Sequence, residues 1–265
     1  MGGLFPSISP VRAIRVLVLA IGITASLCAA AKAAQGVLEK SEAVLGRSVA
    51  NYRLMDQDGR FIPFFSLKGK PVLLSFIYAD CPDACPVINQ SIAALLKGLP
   101  KGVSGGMAVV SVTLDPVQDT PEKLKRYSDE FREFPNWHFV TTDRDTLQSM
   151  VSDLGFTYEE KEGNISHMNR LTLLDSDGKV ARHFYGTDFN RREMEGAITA
   201  LIEGRTLGGR LTSVLDKLML YCSRYDPAAK TYKVDIKIVA VWGIQYFLIF
   251  ATAAFLLVRR FWRTS

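Results

Sequence analysis

Val72-Leu-Leu-Ser-Phe-Ile-Tyr78-Ala-Asp-Cys81-Pro-Asp-Ala-Cys85-Pro86 is the stretch on which the fold turns. Its first seven residues are almost wholly apolar, the pattern of a strand buried on both faces of a sheet. Two cysteines four positions apart follow at once. Behind them Val87, Ile88, Ile92, Leu95 and Leu96 fall at helical spacing, which predicts a helix from about Ala84 to Lys97. Residues four apart share a helix face, so Cys81 and Cys85 can point the same way if the turn starts at Cys81. The positive end of the helix dipole lies there and favours the thiolate. The spacing has one residue more between the sulfurs than a redox CxxC.

Outward from this core, the pattern alternates. Residues 34–49 read as a short polar lead-in. Tyr52–Met55, the Asp56–Gly59 turn and Phe61–Phe65 read as a hairpin with Asp-Gly turn chemistry. Met107–Leu114 is a second buried strand. Thr120-Pro121-Glu122 opens a helix, with threonine as cap and proline in the first helical position. Trp137–Thr141 is a strand and Asp145–Leu154 a short helix. Asn169–Asp175 and Val180–Tyr185 are strands joined through Ser176-Asp177-Gly178, and a helix runs from about Arg191 to Glu203. Strands alternating with helices, closed by a hairpin and a helix, predict a layered α/β fold of thioredoxin-like type over residues 34–205.

The ends carry different information. The net charge is +5, but Arg12, Arg15, Lys32, Arg259, Arg260 and Arg263 account for six of the 32 basic residues and stand in acid-free ends. Between them, 26 basic side chains face 27 acidic ones. The body is near neutral, which argues against nucleic acid as a partner because that needs a clustered basic face. Arg12 and Arg15 precede the apolar run Val16–Ala31, ending in Ala31-Lys32-Ala33, so residues 1–33 read as a secretory signal peptide. Val239–Val258 is a run of twenty uncharged residues, long enough at about 1.5 Å per residue for a membrane core of roughly 30 Å. Residues 238–258 are therefore expected to form a C-terminal transmembrane helix, with 206–237 as an extension or linker before it. The arginines of the 259–265 tail put that tail in the cytoplasm and the body outside. The expected location is the bacterial inner membrane with the soluble domain in the periplasm, ahead of the mitochondrial inner membrane.

Two readings of the thiols stay open on the residues alone. In an exported domain, Cys81 and Cys85 form a structural or redox disulfide by default. With His167, which immediately precedes the strand beginning at Asn169, they would instead make a soft site of two thiolates and one imidazole. Such a site suits Cu(I), and Cu(II) with one further ligand. Zinc would want a fourth ligand, which only Cys222, His138 or His183 could supply. In thioredoxin-like folds the loop entering that strand lies against the cysteine motif, and redox members carry a cis-proline there. This chain has no proline between Pro135 and Pro227, which weighs against a general oxidoreductase. A peroxidase-like or redox-sensing protein fits least. Cys28 would leave with the signal segment, so Cys222 becomes an odd thiol.

Three motifs in order then resemble the Sco/SenC family over about residues 45–205. They are Tyr78-Ala-Asp-Cys81-Pro-Asp-Ala-Cys85-Pro86, Ser111-Val-Thr-Leu-Asp115-Pro-Val-Gln-Asp119-Thr-Pro121, and Ser166-His167 ahead of Leu171-Thr-Leu-Leu-Asp175-Ser-Asp-Gly178. The resemblance implies a membrane-anchored copper protein of cytochrome c oxidase assembly, a metallochaperone rather than a turnover enzyme. It implies Cys81, Cys85 and His167 as copper ligands, with Asp115 near the site as a supporting group or partner contact. The implied partner is the binuclear copper site of oxidase subunit II, with other copper carriers beside it. The alternative within the same resemblance is a thiol-disulfide reductase, with Cys81 and Cys85 cycling to keep the oxidase cysteines reduced. Family members usually carry an N-terminal anchor, whereas here the expected span is C-terminal.

Overall fold

Val72–Ile77, buried at every position, forms an inner strand (β3) of a seven-stranded mixed sheet. The structure is a computed structural model. It describes residues 36–82, 84–161, 164–187 and 189–207, the strands at 223–226 and 231–234, and residue 243. In β3, continuous hydrophobicity reflects helices on both sides of the sheet. Ala108–Thr113 (β4), also buried throughout, runs parallel to β3 from Val72↔Ala108 to Ile77↔Thr113. Trp137–Thr141 (β5) runs parallel to β4. Arg53–Asp56 (β1) pairs antiparallel with β5 and with Phe61–Pro63 (β2). On the other side Arg170–Leu174 (β8) pairs antiparallel with β3, and Val180–Tyr185 (β9) with β8. The resulting order is β2-β1-β5-β4-β3-β8-β9.

Ala84–Gly98 (α2), Pro121–Ser128 (α4) and Arg191–Ile202 (α6) supply apolar faces to one side of the sheet. Cys85, Ile88, Ile92, Leu95 and Leu96 of α2 pack with Leu73 and Ile77 of β3, Phe139 of β5 and Ile198 of α6. Arg144–Asp153 (α5) covers the opposite face, where Leu147, Met150 and Val151 meet Leu74, Phe76, Val110 and Val112. This is the three-layer α/β arrangement that the alternation predicts. Both cores are continuous, and each fully buried large aliphatic side chain contributes on the order of 2 kcal/mol. The expected cap is present: Thr120 accepts the Lys123 N–H at the start of α4. Asp143, which the sequence reading did not single out, likewise accepts the Thr146 N–H at the start of α5.

Some elements depart from the sequence reading. The polar lead-in contains a helical segment over residues 36–42 (α1), and Lys101–Gly105 forms a short helix (α3). Between α5 and β8 an additional hairpin appears, Tyr158–Lys161 (β6) with Asn164–His167 (β7), as a two-stranded sheet of its own. Its polar, acidic sequence offers little apolar alternation, which is why the pattern conceals it. Ser223–Asp226 (β10) and Thr231–Val234 (β11) pair within the stretch expected to be a linker. Among the described residues no helix is long and apolar enough to cross a membrane. The expected signal segment 1–33, Cys28, Cys222, the 259–265 tail and, Gly243 apart, the 238–258 span lie outside the described residues.

Candidate metal centre

The cysteine motif sits where β3 ends and α2 begins, at the parallel edge where β4 also ends. Helix α2 starts at Ala84, three residues later than a turn beginning at Cys81 would put it. The two sulfurs meet nonetheless. Tyr78–Cys81 closes as a turn, with the Cys81 N–H donating to the Tyr78 carbonyl at 3.1 Å. Cys81 is thereby folded back over the helix start, and its Sγ accepts the Cys85 N–H at 3.5 Å. Neither cysteine is bridged in this structure, and Cys81 is half-buried while Cys85 is fully buried.

The environment of Cys85 keeps its thiol protonated. The Cys85 thiol donates to the Cys81 sulfur and is buried, and the negative charge of Cys81 adds to both effects. Together these hold the Cys85 proton far more tightly than in a free thiol. Cys81, half-buried at the start of α2, is the more accessible of the two sulfurs and accepts the Cys85 N–H. One turn on from Cys85, Asn89 is fully buried, and its Nδ2 donates to the Tyr127 hydroxyl from α4 at 2.9 Å. Burial, then the charges of Cys85 and Cys81, raise the Tyr127 phenol. Asn89 Oδ1 meets no donor among the described residues. The Asn89–Tyr127 pair beneath the thiols escaped the sequence reading, although Asn89 stands at the i+4 position from Cys85 and so on the same helix face.

His167 ends β7, directly opposite Tyr158, rather than lying in an open loop. Its ring packs on Phe156 at 5.4 Å between centroids, and Phe156 packs on Phe76 of β3 at 4.4 Å. This aromatic stack brings the imidazole to the strand end that carries the thiols. Burial lowers the His167 pKa, opposed by its bond to the Met168 carbonyl and by the Cys81 charge, so the ring is neutral at physiological pH. A carbonyl only accepts, so at 3.2 Å from Met168 O the Nδ1 carries the proton. Nε2 keeps its lone pair, as a metal ligand requires. The peptides entering β8 at Met168-Asn169 are trans, in keeping with the missing proline.

Cys81, Cys85 and His167 thus share one corner of the molecule but are not closed into a coordination shell. Among the described residues no group of three or more His, Cys, Asp and Glu side chains stands at metal-binding spacing. Asp115 is half-buried in the loop after β4. There its carboxylate accepts the Gln118 N–H at 3.2 Å, and its charge reaches Tyr158, across from His167. It serves its own loop and borders the site. Of the other histidines, His138 lies in β5. His183 is buried in β9 between Thr172 and the Ser41 carbonyl, satisfied on both nitrogens.

Residues 41–203 match the SCO1/SenC family. The chain belongs to this family. It is 28% identical over 152 residues to the SCO1 protein homolog of Bacillus subtilis, an alignment that covers 54% of this chain and 77% of that relative. Among solved structures it is similar to Bradyrhizobium japonicum ScoI with copper bound, with a TM-score of 0.52 at 24% identity over 58% of this chain and 99% of that one. It is likewise similar to BsSco, described as a Sco-family cytochrome c oxidase assembly protein with a disulfide switch. There the TM-score is 0.54 at 24% identity, over 60% of this chain and 95% of the other. At these identities the two structures show a shared fold.

Proposed function

We propose that this SCO1/SenC protein is a copper metallochaperone that takes up copper on Cys81, Cys85 and His167 and passes it to the binuclear copper site of cytochrome c oxidase subunit II. The observation that carries the reading is the pairing of a half-buried Cys81 with a fully buried Cys85 at the corner that also holds a neutral imidazole. Two sulfurs and one nitrogen form a soft donor set that favours Cu(I) over hard cations. Copper enters as cargo. Its arrival displaces the Cys85 proton, because a ligating thiol is deprotonated. His167 then closes from the β6–β7 hairpin, which among the described residues forms a two-stranded sheet apart from the main one. A half-exposed Cys81 is the ligand that an incoming acceptor thiol reaches first, so ligand exchange starts there. Family membership supports the reading, as do a relative with copper bound and another named for oxidase assembly. In this account the 238–258 span tethers the domain to the bacterial inner membrane, with the site on the periplasmic side beside the oxidase.

One observation favours a second role for the same sulfurs. An accessible Cys81 sulfur, accepting the backbone N–H of a Cys85 whose buried thiol holds its proton, is also the arrangement of an attacking and a resolving thiol. The two roles separate in one experiment. The Cu(I)-loaded, reduced chain is mixed with the apo soluble domain of subunit II, thiol content is read, and the separated acceptor is then oxidised by one electron with ferricyanide to reveal the mixed-valence absorbance of any binuclear centre formed. Appearance of the centre at the expense of chaperone copper, with Cys81 and Cys85 still reduced, supports delivery. Oxidation of Cys81 and Cys85 without copper transfer supports the reductase reading and contradicts the chaperone.

A further inference from the structure

Asp119 lies in the second motif, and the cysteine site depends on it in a way the sequence does not announce. It is 1% exposed, and a buried carboxylate is tolerated only when both its oxygens are engaged. Oδ2 accepts the Ala79 N–H at 2.9 Å and the Thr113 hydroxyl at 2.5 Å. Oδ1 faces the Lys123 ammonium at 3.0 Å, and the same ammonium reaches the Asp80 carboxylate at 2.7 Å. Ala79 and Asp80 are the two residues directly before Cys81. The Thr113 hydroxyl accepts the Asp115 N–H at 3.0 Å, and the Asp119 N–H donates to the Asp115 carbonyl at 2.9 Å. One carboxylate therefore ties the turn carrying Cys81 to the end of β4, to the loop carrying Asp115 and to the first turn of α4.

We propose that Asp119 is a positioning residue of the thiol site. With Lys123 as its second arm, it holds the Tyr78–Cys81 turn and so fixes where the Cys81 sulfur stands over the start of α2. Two independent contacts act on adjacent residues. The Ala79 amide is held directly, and the Asp80 side chain is held through the shared ammonium. Released from Asp119, the turn loses its anchor at the Ala79 amide, and the ammonium that holds Asp80 loses its buried counter-ion. The sulfur then loses its fixed approach to the Cys85 N–H. The proposal deepens the copper reading and rests on it for its metal readout alone.

The test uses the full-length chain in detergent, with Asp119→Ala, Asp119→Asn and Lys123→Met beside the parent. Two quantities are read: the rate at which iodoacetamide alkylates Cys81 in the metal-free, reduced protein, and the Cu(I) affinity against a competing chelator. Asp119→Ala should slow alkylation several-fold and weaken Cu(I) binding by about 10- to 100-fold, the range for losing a group that orients a ligand. Asp119→Asn keeps a carbonyl for Ala79 and Thr113 and should restore both readouts most of the way. A fall in melting temperature with Cys81 reactivity and copper affinity unchanged in the folded protein would overturn the proposal. If Asp119→Ala does not fold, Lys123→Met decides. Its side chain is only 23% exposed, and its loss should move both readouts in the same direction by roughly threefold. No movement overturns the positioning role. A parent that binds no copper defeats the chaperone reading, while the alkylation rates still judge Asp119.

Discussion

Acidification should destabilise this protein through His183 more than through any other histidine. The residue is 6% exposed in β9, on the strand pair next to the metal corner. Its Nε2–H donates to the Ser41 carbonyl at 2.9 Å, and its Nδ1 accepts from the Thr172 hydroxyl at 3.1 Å. The neutral ring is therefore satisfied on both sides. Burial, then the nearby Arg170 charge, push its pKa from 6.5 down to about 2, against the opposing pull of the Ser41 carbonyl. The unfolded chain takes up a proton at His183 near pH 6.5, while the folded chain refuses it until far lower. The stability that the neutral ring confers is whole above pH 6.5 and drains away as pH falls toward 2. Each pH unit in that window costs about 1.4 kcal/mol, so lowering the pH from 7.5 to 5 costs about 2 kcal/mol from this residue alone. His138 and His167, whose pKa values are also lowered, act with the same sign. The assay is urea unfolding of parent and His183→Gln at pH 7.5, 6 and 5. Glutamine retains a donor for Ser41 and cannot titrate, so the variant should lose about 2 kcal/mol less than the parent across the range. An equal loss in both proteins would refute the assignment.

Three further outcomes follow from single contacts. Thr120→Ala removes the oxygen that accepts the Lys123 N–H at the start of α4, and should cost about 1 kcal/mol by thermal or urea unfolding. Gly155 has φ +57°, and a Cβ there would stand 2.5 Å from the Lys40 carbonyl oxygen. Gly155→Ala should therefore cost on the order of 2 kcal/mol and raise hydrogen exchange in residues 36–42. Tyr127→Phe keeps the edge contact with Phe139 but leaves the Asn89 Nδ2 without its acceptor. It should cost about 2 kcal/mol in urea unfolding, as for an orphaned buried donor.

The layers of the fold were legible because their signals are local and redundant. β3 and β4 are buried throughout and apolar at all but Ser75, Ser111 and Thr113, and α2 shows its buried stripe at 3.6-residue spacing with Cys85 inside that stripe. Thr120-Pro121 announced α4 through cap chemistry that needs no tertiary context. The β6–β7 hairpin was not legible. Tyr-Glu-Glu-Lys and Asn-Ile-Ser-His pair with each other, apart from the main sheet, so no buried face writes a period-two pattern into them. His167 was picked out by its place before β8, but its seating on Phe156 is a contact eleven residues away in the chain that no pattern carries. Asp119 and the Asn89–Tyr127 pair were hidden for the same reason. Their partners come from different elements, and only the folded chain brings Ala79, Thr113 and Lys123 to one carboxylate.

The central claim is that two sulfurs and one imidazole at this corner hold copper. The most direct test is a Cu(I) titration of the reduced full-length protein against a competing chelator, with His167→Ala and Cys81→Ser/Cys85→Ser alongside. The account predicts one copper per chain in the parent, binding weakened by at least about tenfold in His167→Ala, and none retained in the double cysteine variant. Copper bound equally well by all three proteins, or by none of them, would contradict it.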